Sequence, residues 1–157
     1  MDIGLHGLGV GWFDGTELVA ADYLPSSRAR GERGPSSWRA ACSGLVGLPA
    51  PEVLVMETMQ VYRGGTDKAD DLLQLQGIAG VLVGMYPGAK PVGYLPAAWK
   101  GQVPADVLAA RVEAYLSSRG WLDRVLPDVP ARRRGDVMHG VGVGLVHRGI
   151  LRSGCRR

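Results

Sequence analysis

Three carboxylates and one imidazole stand where their types and spacing could do chemistry. Glu57 closes the run Val53-Leu54-Val55-Met56, an apolar stretch without polar alternation that reads as a strand covered on both faces. Ligand-holding and reactive groups collect at such strand ends, where the apolar interior stops and a crevice opens. A strand that merely surfaces at an acid would read the same way. Asp136 and His139 are three residues apart, so on a helix they share a face. Asp2 opens the chain in Asp2-Ile3-Gly4, ahead of a glycine-rich stretch.

Arginine supplies a second chemistry. The net charge is only +3, but Arg28, Arg30 and Arg33 crowd one loop, and Arg132, Arg133 and Arg134 form a run. Arg148, Arg152, Arg156 and Arg157 gather towards the end. The planar guanidinium fits phosphate better than an ammonium point charge does, which makes nucleic acid the leading partner. Solubilising surface charge is the competing explanation.

The elements that must position these groups fit one domain, residues 1–157, with room for one sizeable core. Apolar residues make up 46% of the chain, yet no apolar run is long enough for a membrane span, and the opening lacks the pattern of a signal peptide. The two cysteines, Cys42 and Cys155, have no CxxC partner and read as reduced thiols of a cytoplasmic protein, not as a zinc site.

Asp14-Gly15 signals a hairpin between a strand ending at Trp12-Phe13 and a neighbour through Leu18-Val19-Ala20-Ala21. Only Met1 precedes Asp2, so the first strand is expected to be apparently truncated: either the assigned start is too late or the strand is very short. A loop over Pro25 to Pro35 leads to a helix capped by Ser36 or Ser37 and closed by Gly47. After the Glu57 strand, Tyr62-Arg63-Gly64-Gly65-Thr66 is a glycine-hinged loop, and Asp67 or Asp70 caps a helix over 69–86. That helix carries two apolar stripes, Leu72, Leu75, Ala79 and Leu82 beside Leu73, Ile78, Val81 and Met85. One stripe should cover a sheet, and the other needs a second protomer or another element of the same chain. A short strand over Pro91 to Leu95 and an amphipathic helix with Val107, Leu108, Val112 and Leu116 follow. A proline-punctuated connector over Trp121 to Pro130 then leads to a last helix over Gly135 to Ile150. Its Gly140, Gly142 and Gly144 cost about 1 kcal/mol each against alanine, which close packing on a sheet would offset.

Taken together, Asp2-Ile3-Gly4, Glu57 with Gln60-Val61-Tyr62-Arg63-Gly64-Gly65, Trp99-Lys100-Gly101-Gln102-Val103-Pro104 and Asp136-x-x-His139 before Val141-Gly142-Val143-Gly144 resemble the RuvC-type Holliday junction resolvases, the phage and prophage branch above all. An opening Asp-x-Gly also occurs in actin-like phosphotransferases, but those need two such domains and a second phosphate loop. The resemblance implies a ribonuclease H-like fold, α/β with a five-stranded mixed sheet flanked by helices, and a homodimer, here through the helix 69–86. It implies a metal-dependent, structure-selective endodeoxyribonuclease that cuts four-way (Holliday) or other branched DNA, with two Mg²⁺ or Mn²⁺ ions per site aiming a hydroxide and neutralising the phosphate. Asp2, Glu57 and Asp136 match the expected catalytic and metal-binding acids, while His139 stands where a further Asp belongs. It is a ligand, a base, or the mark of a catalytically weakened or inactive branched-DNA-binding relative. Tyr62 would stack on a splayed base. Arg63, Lys100, Arg132, Arg133 and Arg134 would contact the DNA backbone.

Overall fold

At Asp14-Gly15 the chain turns back on itself: Asp14 pairs with Glu17 across a tight loop and Gly15 takes φ 54°, a left-handed conformation that only glycine adopts freely. The computed structural model describes residues 1–27, 34–58, 69–125 and 129–152. Strands β1 (Asp2–Gly4), β2 (Gly7–Asp14) and β3 (Glu17–Pro25) form an antiparallel sheet in that order. Strands β4 (Val53–Glu57) and β5 (Lys90–Tyr94) pair in parallel, with Glu57 opposite Tyr94. Helices α1 (Pro35–Ala41) and α2 (Ala69–Met85) lie on either side of β4 in sequence, and α3 (Pro96–Trp99), α4 (Ala105–Ser118) and α5 (Arg134–His147) follow β5.

The expected ribonuclease H-like arrangement, five strands in one mixed sheet, does not form. Among the described residues there are two sheets, one of three antiparallel strands and one of two parallel strands. Among the described residues the backbone bonds that link this end of β1 to β4 are made by Met1. Its amine donates to the Val55 carbonyl at 2.7 Å, and its own carbonyl accepts the Glu57 N–H at 3.1 Å. One residue does not make a ladder. Beyond it β2 and β4 flank a cavity of about 200 Å³, lined by Met1, Val10, Trp12, Val53 and Val55 among others. Burial lowers the Met1 amine to a pKa of about 5, against the pull of Asp2 and Glu57.

Strand β4 is buried on one face and half-buried on the other, less covered than its unalternating sequence predicts. Leu54 and Met56 join Ile3, Leu8, Ile78 and Leu82 in one apolar cluster, while Val55 packs against the cluster of Trp99, Leu108 and Val143. Helix α1 starts from Gly34 with Pro35 in its first turn, not from a serine cap, and stops at Ala41 before a short 3-10 turn, Ser43–Leu45. Of the α5 glycines, Gly140 and Gly144 pack on a sheet as expected, whereas Gly142 packs on helices α3 and α4. Asp136 and Gly140 lie backbone to backbone on Gly9 of β2, while Gly142 meets Trp99 and Val112 and Gly144 meets Phe13.

The stripes of α2 do not divide into an inward and an outward face. Ile78 and Leu82, one from each stripe, are both fully buried, and Leu75, Ala79, Val81 and Met85 pack on the same cluster. Trp38 of α1 lies over Gly77, held by its indole N–H, which donates to the Gln74 side-chain oxygen at 2.7 Å. Leu73, 65% exposed, and Val83 remain outside. So the chain's own α1 and core cover most of the surface that the apolar stripes would offer to a second protomer. Among the described residues no helix is long and apolar enough to cross a membrane.

Candidate functional site

The contact at Met1 decides where the first two acids sit. Asp2 follows Met1 on β1, and the Glu57 N–H is bonded to the Met1 carbonyl, so the two carboxylates leave neighbouring strands. Asp2 pairs with Gly9, the residue on which α5 lies, and that close approach brings the face of α5 bearing Asp136 and His139 to the same place.

His139 Nδ1 stands 3.6 Å from Asp2 Oδ2. Its Nε2–H donates to the Ala105 carbonyl at 3.1 Å, since a carbonyl can only accept. This bond fixes the ring and turns Nδ1 towards Asp2, the arrangement by which proteins orient a histidine ligand. Hydrogen bonding to the Asp2 carboxylate raises the His139 pKa above its ordinary value, against burial, which lowers it.

Glu57 is held by the residues that follow β5. Trp99, 1% exposed, donates its indole N–H to Glu57 Oε2 at 2.7 Å, and Lys100 Nζ lies 3.1 Å from both Oε1 and Oε2. The parallel β4–β5 pair puts Tyr94 beside Glu57, so the next turn of chain returns Trp99 and Lys100 onto the carboxylate. The Trp99 ring also meets the His139 ring edge-on at 6.2 Å, linking Glu57 to the Asp2–His139 pair.

Asp136 takes a different partner. Arg133 Nη1 donates to its Oδ2 at 3.3 Å, and the guanidinium lies over the Tyr23 ring, 4.9 Å from the centroid. Tyr23 in turn donates its hydroxyl to the His6 carbonyl at 2.9 Å, and burial raises its pKa. Asp2, Asp136, Tyr23 and Arg133 line a cavity of about 150 Å³.

The donor types suit a hard divalent cation. In this arrangement they do not hold one. Among the described residues no three His, Cys, Asp or Glu side chains form a metal-holding group. Glu57 is engaged by Trp99 and Lys100, Asp136 by Arg133, and Asp2 by His139.

The four residues singled out in the sequence are therefore brought together in part. Asp2 and His139 meet, Glu57 joins them through Trp99, and Asp136 shares a cavity with Asp2 while turned to Arg133. Of the expected DNA contacts, Lys100 and Arg133 are engaged with acids, whereas Arg132 and Arg134 are exposed at the start of α5. Tyr62 and Arg63 lie outside the described residues, as do Arg28, Arg30, Arg33, Cys155, Arg156 and Arg157. Trp99 and Tyr23 are site residues to which sequence reasoning assigns no role. Trp99 stands next to Lys100 in one of the motifs that carry the resemblance, so its indole donor is legible in principle, but nothing near Tyr23 in sequence points to Arg133. No protein-family model matches the chain, and no curated protein matches it.

Proposed function

We propose that the chain is a divalent-cation-dependent endodeoxyribonuclease selective for branched DNA, similar in its site residues to the RuvC-type junction resolvases. The observation that supports this reading is that Asp2 and Glu57 leave neighbouring strands joined by the Met1 bonds, with His139 Nδ1 facing Asp2 and Trp99 linking Glu57 to that pair. Acids gathered in a cleft with basic neighbours suit the handling of a phosphodiester, which needs both an activated oxygen nucleophile and counter-charge. Asp2 orients His139, Trp99 fixes the angle of Glu57, and the exposed Arg132 and Arg134 supply phosphate contacts beside the N-terminus of α5. The reading carries a requirement for Mg²⁺ or Mn²⁺, two ions per site.

A homodimer belongs to the same reading, because two symmetric cuts need two sites related by a two-fold axis. The exposed side of α2 with Leu73, Gly80, Val83 and Gly84 is the surface we assign to it.

One observation favours a second reading, a DNA-binding relative that no longer cuts: each of the three acids already has a basic partner. A panel of four-way, three-way and linear duplex DNA, incubated with Mg²⁺ or Mn²⁺, separates the two. Cutting of branched but not linear DNA, abolished in Glu57→Gln while junction binding persists, is the expected result. Junction binding without cutting in either metal selects the second reading, and failure to bind any branched DNA overturns both.

A further inference from the structure

Strand β4 uses only one of its two backbone edges in full. The Lys90 N–H donates to the Glu52 carbonyl and the Thr58 N–H to the Tyr94 carbonyl, which puts the even-numbered residues along β4 towards β5. Val53, Val55 and Glu57 therefore turn their N–H and carbonyl groups to the opposite edge. Met1 meets that edge at one end, bonding to the Val55 carbonyl and the Glu57 N–H in the pattern of a parallel strand. Among the described residues nothing bonds the Val53 N–H, the Val53 carbonyl or the Val55 N–H. Beside them lies the cavity of about 200 Å³, walled by Val10 and Trp12 of β2, Val53 and Val55 of β4, and Gly140 and Gly144 of α5.

An edge with open N–H and carbonyl groups is a template for a further strand. Its direction is fixed as well. Met1 runs parallel to β4, so chain bonded to its nitrogen would pass back along the edge from Val55 towards Val53. We propose that the groove between β2 and β4 seats one extended apolar segment, joined to the Met1 nitrogen and running parallel to β4. About three residues, rising ~3.3 Å each, cover the edge from Val53 to Val55. Joined in this way, the Met1 nitrogen becomes an amide N–H, which keeps the bond to the Val55 carbonyl without an ammonium set against apolar walls. A separate peptide would bring its own carboxylate to that point, a second charge to desolvate, so continuity with Met1 is the favoured source. The segment fastens Met1 and with it the spacing of Asp2 and Glu57, whose strands are joined through that residue. This seating holds whether or not the protein cuts DNA.

The test extends the chain on the amine side of Met1 by a short run of valine and isoleucine behind a new initiator, with a glycine–serine run of equal length as control. A run alternating valine with threonine serves if the first aggregates. The apolar extension is expected to raise the thermal midpoint by roughly 5 °C or more over both the parent and the control. It is also expected to slow hydrogen exchange at the Val53 and Val55 amides. Equal midpoints and unchanged exchange for the apolar and control extensions overturn the proposal. Stabilisation of the parent by the same apolar run added as a free peptide, with none from the extension, assigns the groove to a separate strand and overturns its continuity with Met1.

Discussion

His139 is the residue whose charge the fold adjusts most directly within the site. Its pKa is raised by Asp2, so the folded state binds the proton more tightly than the unfolded chain, whose value lies near 6.5. The stabilisation from the imidazolium–Asp2 pair is therefore fully present below about pH 6.5 and disappears as pH rises through the higher folded value. Denaturant unfolding of the parent and of His139→Gln is expected to differ more at pH 6 than at pH 9; an equal difference at both would show that the pair is not linked to folding. Any activity that needs neutral His139 should likewise fall off on its acid limb at a pH above about 6.5. Trp99→Phe keeps an aromatic ring in the core and deletes the donor to Glu57, which is expected to cost about 1–3 kcal/mol. Thermal unfolding measures that cost, and a change near zero would mean the indole is held by packing alone.

Helices α2 and α5 show how one sequence signal acquires opposite meanings. Both are interrupted by glycine. In α5 a Cβ at Gly140 would strike the Gly9 backbone, so the residue is what allows α5 to lie directly on β2 and carry Asp136 and His139 to Asp2. Gly140→Ala is expected to destabilise by about 2 kcal/mol, because the overpacking outweighs the gain of about 1 kcal/mol in helix propensity. In α2, Gly80 and Gly84 have nothing within 4 Å, and alanine at either position should stabilise the isolated chain by about 0.5–1 kcal/mol. Chemical denaturation of the three variants tests both signs. A stabilised Gly140→Ala would refute the close approach of α5 to β2.

For the whole molecule, charge and association decide the partners. Arg132 and Arg134 are exposed, while Lys100 and Arg133 are engaged by acids in the free protein. Junction binding should therefore weaken steeply with salt, and Arg132→Gln with Arg134→Gln should flatten that dependence by roughly 0.9 in log–log slope for each duplex phosphate no longer neutralised. An unchanged slope would exclude these arginines from the interface. Leu73→Glu places a charge on the exposed side of α2 and is expected to turn a dimer into a monomer in light scattering. A parent that is monomeric at micromolar concentration would remove that surface from the proposal.

Local patterns in the sequence were sufficient for the Asp14-Gly15 hairpin, the strand ending at Glu57, the helical face shared by Asp136 and His139, and the close packing of Gly140 and Gly144 on a sheet. Each depends on periodicity or turn chemistry that a short segment carries within itself. Tertiary structure alone decided that the described strands form two sheets, because the pattern within a strand does not say which strands will pair. It alone decided that α1 covers much of α2, since a helix apolar on most sides gives no direction to its partners. The pairing of Glu57 with Lys100 and of Asp136 with Arg133 was likewise beyond the sequence. A carboxylate and a cation attract over any separation along the chain, and which pair meets is fixed only when the strands and helices bring particular side chains within a few ångströms.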